Sequence, residues 1–342
     1  MTMAIIKEAQ LRKDFLPQQA LKSIYFGGGT PSVVPIADIE KIIEALDNLY
    51  GIDASAEITL EANPDDLNEA YLTELSRSPV NRLSIGIQSF KEADLSFMNR
   101  AHSAKEAIGC LESLAKYGFD NYSIDLIYGL PNQSPEDWLW QMEHLKTFDI
   151  PHFSAYALTV ESKTKLAYLQ AKGAVELKDE NAAKHFELLQ DFAKKEGYEH
   201  YELSNFARPG KRAVHNGSYW EGTAYLGLGP SAHSYNGKER SWNVANNALY
   251  LKALEQDGLA LEKEILEEKD RFNEMLMTRL RLLEGISERE INSFSPVFQR
   301  HWLKESRKLL ATGKLVQFSE GYRIPSEWRF FSDGIAADLF YT

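Results

Sequence analysis

The chain has 342 residues, of which 44% are hydrophobic and 26% charged, with a formal net charge of −12. That balance is ordinary for a globular protein of one large domain with an appendage, or of two domains, and it argues against a broad nucleic-acid footprint, leaving room only for a local basic face. No apolar run approaches bilayer-spanning length and the N-terminus has no signal-peptide pattern, so no integral membrane segment and a cytoplasmic location are expected.

In chain order, residues 4–16 (AIIKEAQLRKDFL) read as helical. Five apolar, β-rich runs follow: Ser23–Gly29, Glu57–Asn63, Arg82–Ser89, Asn121–Gly129 and His152–Val160. Between them Ile36, Ile39, Ile43, Leu46 and Leu49 recur at helical spacing, as do Ala107, Cys110, Leu111 and Leu114. Ser103 with Glu106 forms a capping box, Gly118 is placed to end that helix, and Ser134-Pro135 opens another. Strands alternating with helices imply βαβ units and a parallel sheet. Five strands are too few for a closed eight-stranded barrel, and the chain begins in a helix where a first strand would stand. The expected fold is therefore an incomplete parallel (β/α) barrel over residues 1–175.

Beyond it, Asp179–Gly197 reads as one amphipathic helix, followed by a strand-like GYEHYELSNF and a Gly-, Asn- and aromatic-rich stretch. Residues 176–260 are expected to form an α/β extension. Residues 261–342 contain a helix over Asp270–Leu283, a turn at Gly285–Ser287, two short helices and a hairpin-like segment, Lys314–Ile324. That order predicts a winged-helix-like helical cap.

Polar or glycine residues gather at the C-terminal ends of the barrel strands: Gly27, Gly28, Gly29 and Thr30, then Glu61, Gln88 and Asp125. In α/β folds ligands bind at that edge, because the following loops converge there. The glycine cluster alone reads equally as a tight turn, and a lone strand-end carboxylate equally as half of a structural ion pair. Four strands ending this way in one sheet point to a small-molecule site. A second feature is His215-Asn216-Gly217-Ser218-Tyr219-Trp220, expected to be an aromatic loop. Histidine is a common metal and heme ligand, although a single loop histidine is more often structural. His200 and His233, the latter in GLGPSAHSY, are its nearest competitors. Cys110, the sole cysteine, sits on an apolar helix face and reads as core; its solitude excludes an intramolecular disulfide and any site needing two thiolates from the chain.

Taken together, YFGGGTPS (25–32), LEANPDDL (60–67), NRLSIGIQSF (81–90), NRAHS (99–103), SIDLIYGLP (123–131), YELSNFARPG (201–210), HNGSYW (215–220) and YLGLGPSAHS (225–234) resemble the radical S-adenosylmethionine (SAM) family that contains oxygen-independent coproporphyrinogen III oxidase (HemN) and the heme chaperone HemW. The strings run in the family's order over most of residues 20–250. The resemblance implies that Gly27, Gly28, Gly29 and Thr30 bind the amino and carboxylate end of SAM, that Glu61 also contacts it, that Gln88, Arg100 and Asp125 line the same pocket, and that Ala157 lies near the adenine. HNGSYW looks like the heme motif of the HemW branch, with His215 as axial ligand and Tyr219 and Trp220 beside it. The implied cofactors are SAM, a 4Fe–4S cluster and heme. The implied partners are heme or another porphyrin and a heme-acceptor protein, while the net charge of −12 argues against nucleic acid.

One departure is severe. The family holds its cluster on a CxxxCxxC loop after the first strand, and this chain offers only Cys110, on a different element. The retained SAM constellation favours a chain that starts at an internal methionine over a paralogue that lost the chemistry, and an in-frame CxxxCxxC upstream would decide. The implied function is heme delivery to acceptor proteins, and the rival within the family is radical decarboxylation of coproporphyrinogen III. Outside it stand a phosphate-binding barrel lyase or isomerase and a winged-helix DNA-binding protein.

Overall fold

The computed structural model describes residues 1–17 and 19–342. Helix α1 (Thr2–Leu11) leads to β1 (Leu21–Phe26), after which strands and helices alternate: α2 (Ile36–Tyr50), β2 (Ile52–Ala62), α3 (Glu69–Leu75), β3 (Arg82–Gln88), α4 (Glu92–Phe97), α5 (Ala104–Leu114), β4 (Tyr122–Tyr128), α6 (Pro135–Thr147) and β5 (His152–Ala157). Helices α7 (Lys165–Ala171) and α8 (Asp179–Glu196) precede the antiparallel pair β6 (Glu199–Glu202) and β7 (Asn205–Ala207). These seven strands form one curled sheet in the order β1-β2-β3-β4-β5-β7-β6. Pairing is parallel from β2 to β5 and turns antiparallel where β7 meets β5. The architecture is the expected incomplete parallel barrel, with GYEHYELSNF supplying two further strands.

The local reasons are those of the sequence. Leu83, Ile85 and Ile87 alternate along β3, as Ile124 and Leu126 do along β4, and all are fully buried, which places them on the core face of the sheet. Ser103 and Ser134 each close a capping box, and Gly118 and Gly197 end their helices in the left-handed region. Cys110 is buried on α5, as its apolar surroundings predict.

The remaining elements are α9 (Val214–Trp220), β8 (His233–Tyr235), β9 (Glu239–Asn243), α10 (Asn247–Glu255) and β10 (Leu261–Ile265), then α11 (Glu268–Arg279), β11 (Ile286–Ser287), α12 (Glu288–Asn292), α13 (Pro296–Ala311), β12 (Val316–Phe318), β13 (Gly321–Arg323) and α14 (Ser332–Ala337). Strands β8 to β10 make a small antiparallel sheet. The last block runs helix, strand, two helices and hairpin, with sheet order β11-β13-β12, which is the winged-helix arrangement. Phe272, Leu276, Phe298 and Trp302 form its core. Of the two helices expected to be short, α12 has 5 residues but α13 has 16, because its buried Phe298, Trp302 and Leu309 keep one continuous apolar stripe.

By compactness the chain divides into two units, one comprising Met1–Ile24, Val34–Ile58 and Ala213–Thr342, the other Tyr25–Val33 and Thr59–Arg212. In the first, the fully buried Glu8 of α1 accepts hydrogen bonds from the Gly229 amide (2.8 Å), the Asn243 side-chain amide (2.7 Å) and the Tyr250 hydroxyl (2.7 Å), and pairs with Arg12 at 3.3 Å. This carboxylate fastens the GLGPSAHSY segment to the N-terminal helix. In the second unit lies the cavity described next. No helix among the described residues is long and apolar enough to cross a membrane.

Candidate functional site

At the C-terminal ends of the barrel strands a cavity of about 170 Å³ opens. Gly29, Thr30, Glu61, Gln88, Arg100 and Asp125, all singled out from sequence, line it. Gly27 and Gly28 stand next to it and shape its rim. Tyr25 donates from its hydroxyl to Glu61 Oε1 at 2.6 Å, and the Gly28 amide donates to Glu61 Oε2 at 3.0 Å. The Gly28 N–H thus serves to fix Glu61. A Cβ at Gly27 would lie 2.4 Å from the Tyr25 ring and 2.9 Å from Glu61, so only glycine lets this arrangement form.

Asn63, Ser84 and Gly86 also line the cavity and were not singled out from sequence. The signal for two of them was available: Ser84, Gly86 and Gln88 alternate along β3, and alternate strand residues share a face. The strand bulges between Ile85 and Gln88, and Gln88 takes a left-handed φ of 66°. Asn63 accepts from Arg100 Nη2 at 2.8 Å. A Cβ at Gly86 would come within 3.2 Å of the same nitrogen, so the missing side chain leaves the guanidinium its place. Arg100 Nε is buried and meets no acceptor among the described residues, which leaves a cationic donor unsatisfied. Burial pushes the Asp125 carboxyl up to about 6, reinforced by the Glu61 charge and opposed by a hydrogen bond from Ser154 and by the Arg100 and Arg82 cations. Ala157 ends β5 beside Tyr128 and is not part of the cavity lining.

A single cavity is therefore lined by a cation, Arg100, and two carboxylates, Glu61 and Asp125. This donor set fits SAM, whose carboxylate calls for a cation and whose ammonium and ribose hydroxyls call for acceptors. A 4Fe–4S cluster does not fit the residues present. It needs several thiolates, whereas Cys110 stands alone, buried on α5, with burial pushing its thiol up to about 12. No group of three or more His, Cys, Asp or Glu among the described residues is placed to hold a metal ion.

The HNGSYW segment corrects one expectation: it is the helix α9, not a loop. Its helical spacing is what lets Trp220 Nε1 donate to Asn216 Oδ1 at 3.1 Å, four residues back. Tyr219 is exposed, its ring edge-on to Trp220 at 5.1 Å and 5.6 Å from Tyr225, which in turn lies 6.3 Å from Tyr235. The Arg281 guanidinium sits 4.8 Å over the Trp220 ring. His215 is half-buried, with its Nδ1 3.1 Å from Ser23 Oγ. Of the competing histidines, His200 stacks on Phe206 at 4.1 Å and bonds the Leu203 carbonyl, while His233 lies exposed on β8 with its ring 6.2 Å from Trp242.

Residues 5–144 match the model of the radical SAM superfamily. The heme chaperone HemW of Lactococcus lactis is 34% identical over 294 residues, covering 85% of this chain and 77% of that protein. The HemW of Synechocystis is 33% identical over 298 residues, covering 86% of this chain and 71% of that protein. Among solved structures, Escherichia coli coproporphyrinogen III oxidase (HemN), a radical SAM enzyme, superimposes with a TM-score of 0.80 at 22% identity over 98% of this chain and 81% of that one, a likeness of fold. On the relatives' identity and coverage, this chain belongs to the HemW family of radical SAM proteins.

Proposed function

We propose that this protein binds heme through α9 and hands it to an acceptor protein, with His215 as the axial ligand and Tyr219 and Trp220 forming the adjoining apolar surface. The observation that carries the proposal is a half-buried histidine on an aromatic helix, in a chain related to proteins named heme chaperones. Heme is the cargo. Imidazole is a strong axial ligand, and a porphyrin face is stabilised by aromatic contact. Tyr219 stands at the surface, where a macrocycle can reach it without displacing the core.

The barrel cavity is proposed to hold SAM. Arg100 would take the carboxylate, Glu61 and Asp125 the ammonium or ribose hydroxyls, and Gly27 to Thr30 and Gln88 the rim, with Ala157 toward the adenine. When bound beside a cluster, SAM supplies radical chemistry. Residues 1–342 contain one thiol and do not provide that cluster's ligands.

Hemin titration followed in the Soret region tests the proposal. His215→Ala should lose or alter the imidazole-ligated spectrum, and His233→Ala should keep it, with folding of both checked by circular dichroism. A folded His215→Ala protein with wild-type spectrum and affinity would remove His215 as the ligand.

A further inference from the structure

The histidine of α9 is held from two strands far away in the sequence. Its Nδ1 lies 3.1 Å from Ser23 Oγ on β1, 192 residues earlier. Glu57, buried on β2, accepts from the Val214 amide through Oε2 and from the His215 amide through Oε1, both at 2.9 Å. Helix α9 has no side-chain cap of its own, since its N-cap residue is Ala213. Glu57 therefore supplies in tertiary structure the acceptors that Ser, Asp or Asn supplies at an ordinary helix start. One strand fixes the helix end and the histidine's backbone, and the neighbouring strand holds one nitrogen of its ring.

Resting on the heme-ligand reading above, we infer that Ser23 and Glu57 are positioning residues for His215: Glu57 anchors its backbone, and Ser23 engages Nδ1 so that Nε2 is the nitrogen presented to iron. Ligation through Nε2 needs its lone pair, so the ring proton then resides on Nδ1 and is donated to Ser23 Oγ. A hydroxyl accepts as readily as it donates, and the change costs only a rotation about the Cβ–Oγ bond. Metal-bound imidazoles characteristically donate their other N–H to such a partner, which sets ring orientation and basicity. A serine partner is neutral, so it orients the ring without the stronger electron donation that a carboxylate would give.

The test is hemin titration, with the Soret maximum and the EPR spectrum of the ferric complex, on the full chain. Ser23→Ala should stay folded by circular dichroism, bind hemin roughly tenfold more weakly and give a shifted EPR signature. Ser23→Thr, which keeps the hydroxyl, should restore both. Glu57→Gln keeps the shape but halves the acceptor capacity, and should also weaken hemin binding with the fold retained. In the His215→Ala background Ser23→Ala should have no further effect on affinity. Wild-type affinity and spectra in Ser23→Ala would overturn Ser23's role, and wild-type affinity in Glu57→Gln that of Glu57. If His215→Ala itself behaves as wild type, the ligand reading fails and not merely its positioning.

Discussion

The hydroxyl of Tyr250 donates to the carboxylate of Glu8 at 2.7 Å across 242 residues of sequence, inside a site from which Glu8 is fully shielded from solvent. Gly229, Asn243 and Arg12 complete the set, and Arg12 extends it to Ser241 at 3.0 Å. A buried charge that is fully paired is tolerated, and one stripped of its partner is costly.

Glu8→Ala leaves Arg12 without its anion and removes an acceptor from the Gly229 amide and the Tyr250 hydroxyl, while the Asn243 amide keeps only the Gly229 carbonyl. A loss of about 3–5 kcal/mol is expected, read as a lower denaturant midpoint. Tyr250→Phe removes one hydrogen bond to a charged group and should cost about 1.5–3 kcal/mol. A Glu8→Ala protein within about 0.5 kcal/mol of the parent, the size of an ordinary surface change, would show that this network contributes little.

Asp125 makes stability depend on pH. Its folded pKa, about 6, lies above the ordinary 3.8. An acid raised in the folded state favours folding most when protonated, so its contribution is complete below about 3.8 and is lost as pH rises through about 6. Asp125→Asn should be more stable than the parent at pH 7 to 8, on the order of 1–3 kcal/mol, with the difference shrinking toward pH 4. Thermal melts across that range decide the matter. A constant difference would mean that Asp125 does not titrate in this window.

The rim of the cavity should be intolerant at Gly27. An alanine there meets the Tyr25 ring and Glu61, so the Tyr25–Glu61 hydrogen bond must break. SAM binding to this chain is expected to be weak, since no cluster iron holds the amino-carboxylate. Gly27→Ala and Arg100→Ala should each weaken it further, at least fivefold, corresponding to about 1 kcal/mol. Equilibrium dialysis with labelled SAM is the measurement, and unchanged binding in both variants would place SAM elsewhere.

Cys110 should behave as a core residue. With its thiol pushed up to about 12 by burial, it should react with a disulfide reagent only after denaturation. Reconstitution of residues 1–342 with iron and sulfide should yield no stoichiometric 4Fe–4S cluster, and Cys110→Ala should leave the iron content unchanged. A full cluster per chain by iron analysis and EPR would contradict the ligand count.

Much of the barrel was legible in the sequence because its determinants are local. Alternating apolar strands, the capping boxes at Ser103 and Ser134 and the left-handed glycines at 118 and 197 depend on neighbours within a few residues. The cavity was legible to the same degree, since strand-end residues of a parallel sheet converge whatever lies between them. The helix at Val214–Trp220 was not, because Gly217 together with Val214, Asn216, Ser218, Tyr219 and Trp220 gives it poor intrinsic propensity and its cap is Glu57, 157 residues upstream of the amide it holds. The sequence by itself determined the strand and helix series of the barrel, the convergence of Glu61, Gln88 and Asp125, and the shortage of thiols, while Arg100 entered through the family resemblance. Only the tertiary structure decided that Glu61 is held by Tyr25 and Gly28, that Asn63 and Gly86 give Arg100 its place, and that Ser23 and Glu57 hold His215. Each of those is a hydrogen bond or close approach between distant segments, set by chain packing and invisible to any local pattern.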